Sequence, residues 1–332
     1  TWFIASSIIA PMITLKEKYR EYFKLGTAVS VGTIKSHAEL ITTHFDSITC
    51  TNEMKFSSLC PLENSYRFEH ADAIAQFARD NSLALRGHTF TWHNQTPPWV
   101  FENTNREGLL ARLKNHIEVV AKRYQNDIYC WDVVNEAIAD KGQDVMRKSP
   151  WTDIIGEDFM DHAFRFAREA LPNTDLYYND YNETHSPKRE HIYNTIKGML
   201  DRGVPIDGVG LQCHISIYSP DQDQIRRSFE LYAKLGLKLQ ITEMDVSMFR
   251  HEDETRLPAP TPELLELQAK AYGAAFEVFR EYKDCVDSVT LWGVADDDTW
   301  LDYFPVHNRK NWPLLFDEQH APKEAFHRIV DF

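Results

Sequence analysis

The chain has 332 residues, 43% of them hydrophobic and 26% charged, which allows one large α/β domain or two ordinary ones. A formal net charge of −14 argues against nucleic acid or an anionic membrane as partner, because both require basic patches. It suits a neutral substrate that needs no electrostatic steering.

The first twelve residues, TWFIASSIIAPM, are apolar but too short to span a bilayer, and they lack the basic start of a secretory signal. They are expected to be a non-native or flexible extension, with the native start at Met12 and the catalytic domain over 13–332. The amphipathic stretch LKEKYREYF follows. Eight short apolar runs then read as strands, over 25–29, 46–52, 84–92, 127–137, 175–182, 208–214, 238–246 and 288–296. Between them lie helical patterns. Leu109, Leu113, Ile117, Val120 and Tyr124 recur at steps of three or four, as do Ile225, Phe229 and Tyr232. Leu265, Tyr272, Phe276 and Phe279 do so after one seven-residue step. Thr261 before Pro262 predicts an N-cap, while Gly203 and Gly236 mark helix ends.

Alternation of strand and helix implies a parallel sheet with right-handed crossovers, and eight such units in about 300 residues fit a single-domain (β/α)₈ TIM barrel. The open doubly wound alternative lacks its GxGxxG turn after the first strand. Cys130 and Cys213 fall inside apparent strands, where free cysteine is a small apolar residue. Five cysteines without CxxC suggest no disulfide framework or zinc knuckle and favour a reducing compartment.

In such a barrel the active site forms where strands end. Those ends carry Asn52 and Lys55, His88, Trp92 and His93, Asn135 and Glu136, Asn179, Asp180 and Asn182, Gln212 and His214, Glu243 and Asp245, and Trp292. Polar and aromatic residues converge there, whereas the strand starts are apolar. Glycosidic cleavage needs one carboxylic acid and one carboxylate flanking the scissile bond. Glu136 ends the fourth strand and Glu243 the seventh, on opposite sides of the ring. A separation of about 5–5.5 Å would give retention through a covalent intermediate. A lone strand-end glutamate is more often a surface ion-pair partner; two in these contexts reverse that.

The chain resembles glycoside hydrolase family 10, the endo-β-1,4-xylanases. The matching segments are NEMK at 52–55, RGHTFTWHNQ at 86–95, WDVVNEA at 131–137, YYNDYN at 177–182, GVGLQCH at 208–214, ITEMDV at 241–246 and WGVADDDTW at 292–300. They cover the chain after residue 20, in the family's order. The resemblance implies hydrolysis of xylan or xylo-oligosaccharides. Glu136 would be the acid/base, Glu243 the nucleophile, His214 its hydrogen-bond partner, Asp245 the residue orienting His214, and Asn135 a holder of the sugar 2-hydroxyl. Asn52, Lys55, His88 and Gln95 would grip non-reducing-side sugars, with Gln212 also lining the site. Trp92, Trp292 and Trp300 would wall the sugar faces, the last two excluding a hydroxymethyl group. Asn179 and Tyr181 would reach the leaving-group side, and Arg309 would help close the cleft. No cofactor or metal is implied, and nothing marks an oligomeric state.

The chain departs from the family at Thr51, where a glutamate is usual, and at Phe56, where tryptophan is usual. KNWPLLFDEQ and WLDYFP resemble a compact bacterial subgroup often found inside cells and active on short xylo-oligosaccharides, which implies a cytoplasmic enzyme, with secretion and a missing signal as the alternative. Three alternatives remain: a retaining β-1,4-glucanase or other barrel glycosidase, a metal-dependent hydrolase using His88 and His93, and a non-catalytic sugar-binding barrel. His88 and His93 lie five residues apart on an extended chain and so face opposite ways. The run Asp296, Asp297, Asp298 reads as a solvated loop.

Overall fold

Eight parallel strands close on themselves in the computed structural model, which describes residues 12–332. In chain order the strands are β1 (Lys24–Val29), β2 (Ser47–Cys50), β3 (Ala84–Trp92), β4 (Ile128–Asn135), β5 (Asp175–Asp180), β6 (Gly208–Leu211), β7 (His214–Ser216), β8 (Lys238–Ser247) and β9 (Val286–Leu291). Each of β1 to β5 pairs with the next; β6 then pairs with β8, β8 with β9, and β9 with β1. This is a (β/α)₈ barrel. The three-residue β7 is an extra piece laid beside the upper half of β8, with His214 opposite Asp245.

The helices form where the apolar spacing placed them. In Arg106–Tyr124 the predicted stripe of Leu109, Leu113, Ile117, Val120 and Tyr124 is buried, about 1.5–3 kcal/mol for each aliphatic side chain removed from water. Asn105 caps it by accepting from the Gly108 amide. Helix Pro262–Glu281 starts at Thr261, whose side chain accepts from Leu264 N at 3.2 Å. Gly203 and Gly236 take φ values of +77° and +70° just past helix ends, a region costly for a residue with a Cβ. The stretch after Met12 yields only a four-residue helix, Leu15–Lys18, but Leu15 and Tyr19 are fully buried. Among the described residues no helix is long and apolar enough to cross a membrane. The expected N-terminal extension lies outside the described residues, Met12 apart.

Two strand expectations are corrected. The run 208–214 is not one strand: β6 stops at Leu211, Cys213 turns into the left-handed region (φ +60°), and His214 opens β7. Cys213 is therefore a buried turn residue. Glu243 does not end its strand, because β7 extends the pairing and carries β8 four residues further, to Ser247.

Candidate active site

Glu136 directly follows β4 in a left-handed conformation (φ +58°), and its amide donates to Asn179 O at 2.8 Å. This bend turns its carboxyl toward the barrel axis. Three neutral donors meet it: Trp92 Nε1 on Oε1 at 3.1 Å, and Asn135 Nδ2 and Gln212 Nε2 on Oε2 at 3.1 and 2.9 Å. Burial, then the charge of Glu243, raises its pKa above the usual carboxylate value.

Glu243 is 6% exposed. Its Oε1 accepts from His214 Nε2 at 3.0 Å and its Oε2 from Asn179 Nδ2 at 2.9 Å. Burial alone would raise its pKa, but the His214 hydrogen bond, the charges of His88 and His214, and Asn179 together hold it below the usual value. His214 Nδ1 donates in turn to Asp245 Oδ1 at 2.8 Å. Burial would strip the ring of its proton; Asp245 and Glu243 outweigh that and push its pKa well up, so it stands as an imidazolium. Trp300 Nε1 donates to the other Asp245 oxygen at 2.8 Å, and its ring lies 5.0 Å from His214.

The two carboxylates are not diametrically opposed, as their strand numbers suggested. They stand three staves apart in the ring β4–β5–β6–β8, and residues from the two staves between them bridge the gap. Asn179, the penultimate residue of β5, donates to both Asn135 Oδ1 and Glu243 Oε2 and accepts from Thr242 Oγ1 at 2.6 Å. It can sit there because Gly210 is glycine: a Cβ would lie 2.4 Å from Asn179 Oδ1. Asn179 is 0% exposed, so it is an internal strut and not a contact for the leaving group. Gln212 is likewise enclosed, spanning Glu136 and Asn135.

Beside them Lys55 Nζ donates to Asn52 Oδ1 at 2.9 Å and Gln95 Oε1 at 3.0 Å, and lies 4.8 Å from the Trp92 ring centre. An ammonium has three donors, so one remains for a ligand hydroxyl. His88 is fixed through Nδ1 to Asp132 at 2.8 Å and meets Trp292 edge-on at 5.5 Å. Asp132 also takes a two-pronged ion pair from the fully buried Arg86. Tyr181 is partly exposed; its hydroxyl accepts from Arg147 and donates to Asp140, and Lys188 Nζ lies 3.7 Å from its ring centre. Arg309, 2% exposed, donates to Asp253 O and Thr255 O and lies over Phe249, so it props that loop from within. His88 and His93 belong to no cluster of metal-ligating groups among the described residues. Phe56 stacks on His116 at 3.6 Å, a packing role that needs no indole N–H.

Sequence reasoning missed several groups. Arg147 Nε donates to Glu136 O, and Tyr178 OH accepts from the amides of Ala137 and Ile138 while donating to Asp180; both shape the backbone beyond Glu136. Tyr178 and Asp180 lay in a recognised segment, but Arg147 sits in a loop with no pattern to mark it.

The model of Glycosyl hydrolase family 10 matches residues 14–332. The chain belongs to glycosyl hydrolase family 10. This family 10 chain is 49% identical over 323 residues to endo-1,4-beta-xylanase B of Paenibacillus barcinonensis, covering 96% of this chain and 97% of that one. It is 48% identical over 326 residues to an endo-1,4-beta-xylanase of Geobacillus stearothermophilus, covering 96% and 98%. The solved xylanase of Paenibacillus barcinonensis in complex with a conduramine derivative superposes with a TM-score of 0.95 at 48% identity, covering 96% and 98%. Both family 10 relatives match nearly end to end, so the likeness extends over the whole barrel.

Proposed function

We propose that this protein is a retaining endo-β-1,4-xylanase that cleaves xylan or xylo-oligosaccharides by double displacement. One observation carries the reading: two glutamates meet in one polar cluster whose partners push their pKa values in opposite directions, Glu136 up by burial and the charge of Glu243, and Glu243 down by His214 and Asn179. A glycosidase needs that division, an acid on one side of the bond and an anion on the other.

The chemistry follows from the partners. On Glu136, Oε2 already accepts two N–H groups, so the acidic proton belongs on Oε1, which accepts only from Trp92. That proton goes to the glycosidic oxygen as the C–O bond breaks, and a Glu243 oxygen forms an ester with the anomeric carbon. Esterification removes the Glu243 charge that had raised the Glu136 pKa. Glu136, now ionised and less basic, takes a proton from water, whose oxygen attacks the anomeric carbon. Glu243 leaves as a carboxylate, stabilised by the His214 cation and Asn179.

Asn52, Lys55, Gln95 and His88 would bind the non-reducing-side sugars, and Tyr181 would line the leaving-group side. Asn135 would hold the 2-hydroxyl of the attacked sugar. Trp92, Trp292 and Trp300 would form the apolar walls. Trp300, pinned by Asp245 and stacked on Phe304 at 4.9 Å, is held too firmly to yield to a hydroxymethyl group. Initial rates on xylohexaose and cellohexaose test the choice. Xylohexaose is expected to be cleaved faster, and the reverse order would make the enzyme a β-1,4-glucanase. A cytoplasmic location is also proposed, supported by five free thiols, four of them buried; recovery of the native enzyme from culture medium and not from cells would refute it.

A further inference from the structure

The acidic run after β9 is solvated only in part: Asp297 and Asp298 are exposed, whereas Asp296 is not. Asp296 is fully buried against Lys323 at 2.8 Å, and Asp297 lies between two histidines distant in sequence. Asp297 Oδ1 is 2.8 Å from His37 Nε2, 260 residues away, and Oδ2 is 2.9 Å from His320 Nε2. The two rings are 4.3 Å apart centre to centre. Among the described residues, side-chain hydrogen bonds of the three run only among themselves and to Ser36, so the cluster is separate from the carboxylate site.

We propose that His37, Asp297 and His320 bind a divalent first-row transition cation of the zinc class. One ligand atom from each lies within 4.8 Å of the others, and they are the one such group of three among the described residues. A tetrahedral ion with bonds of about 2.0–2.2 Å separates its ligands by about 3.4 Å, so modest side-chain rotation closes the site. Two imidazoles and one carboxylate suit zinc, nickel or copper, whereas calcium and magnesium prefer all-oxygen shells. Water fills the fourth position.

Ser36 makes the case specific. Its hydroxyl lies 3.1 Å from Gly32 O and 2.6 Å from His37 Nδ1, and it has one proton. With that proton given to Gly32 O, Ser36 accepts from Nδ1–H, and the Nε2 lone pair points at the Asp297 carboxylate. In that arrangement something positive lies between them, a proton on Nε2 or a metal ion, whereas a Ser36 hydroxyl turned to donate to Nδ1 would leave Nε2–H donating to Asp297. An imidazole held through Nδ1–H with Nε2 presented is the arrangement of a metal-ligating histidine. The ion would tie the loop after β1 to both segments that follow β9, and so stabilise the fold without touching the chemistry.

Zinc chloride titrated calorimetrically into protein stripped with a chelator and dialysed is the test, with cobalt as a visible-light reporter. One ion per chain, a rise in Tm of about 5 °C at saturation, and a cobalt spectrum unlike the hydrated ion are expected. Asp297 and His320 side chains are each 33% exposed, so His320→Gln and Asp297→Asn should fold. Their Tm in chelator checks this, and each should bind zinc at least about 10-fold more weakly. Absence of a one-to-one site, or unchanged affinity in His320→Gln, would overturn the proposal and leave a proton bridge.

Discussion

Replacing His214 by asparagine should move the acid limb of the kcat/KM profile to higher pH by about 1–2 units. Glu243 is 6% exposed, and burial on its own favours the protonated form. What reverses this is chiefly the charged donor at 3.0 Å, itself kept charged by Asp245 at 2.8 Å. A hydrogen bond to a charged group is worth about 1.5–3 kcal/mol, and about 1.36 kcal/mol corresponds to one pKa unit. Loss of the imidazolium therefore raises the Glu243 pKa by about 1–2 units. Since the nucleophile must be ionised, its active fraction shrinks from the acid side and the limb shifts upward. The profile of kcat/KM on an aryl xylobioside reads the free enzyme, where this pKa belongs. Asp245→Asn keeps the ring but removes the anion sustaining its charge, so a smaller shift in the same direction is expected. A uniform fall in rate with the acid limb in place would show that His214 orients Glu243 without setting its charge, and the electrostatic account would fail.

Glu243→Gly should be inactive on aryl xylobiosides but rescued by azide to an α-xylobiosyl azide; a β product would remove Glu243 from the nucleophile's role. Glu136→Ala should lose about 10²–10⁴-fold on xylan, the usual worth of a general acid, while sparing substrates whose leaving groups need no proton. Equal loss on both classes would contradict its acid role. A fourth outcome concerns stability. Glu183, buried beside Cys213 N at 2.9 Å, has its pKa raised by burial from 4.5 to about 7. The native state therefore holds a proton that the unfolded chain releases, and stability is full below the unfolded pKa and falls as pH rises through about 7. The loss is on the order of 3 kcal/mol. Glu183→Gln should flatten the urea midpoint between about pH 5 and pH 8, and an unchanged slope would assign the effect elsewhere.

The strand ends were legible because a barrel puts its chemistry at the ends of its most regular elements, and β3 was bounded to the residue. The break after β6 was not, because an apolar run such as GVGLQCHIS has the same composition whether or not Cys213 flips its backbone. Asn179 was assigned to the leaving-group side because alternation tells which face a residue takes but not what waits there. The amide was already claimed by Asn135, Glu243 and Thr242. Arg147, Lys188 and Asp140 come from separate segments and acquire meaning only once folded around Tyr181. The same holds for His37, Asp297 and His320. The deepest case is the pair of glutamates. As sequence they are the same residue at two strand ends, and only the family resemblance told acid from nucleophile. In the fold, neutral N–H donors and a neighbouring anion surround one, while an imidazolium backed by Asp245 faces the other. The difference lies in residues that β3, β5, the β6–β7 turn, β7 and β8 contribute, so it exists only after those staves close into a ring.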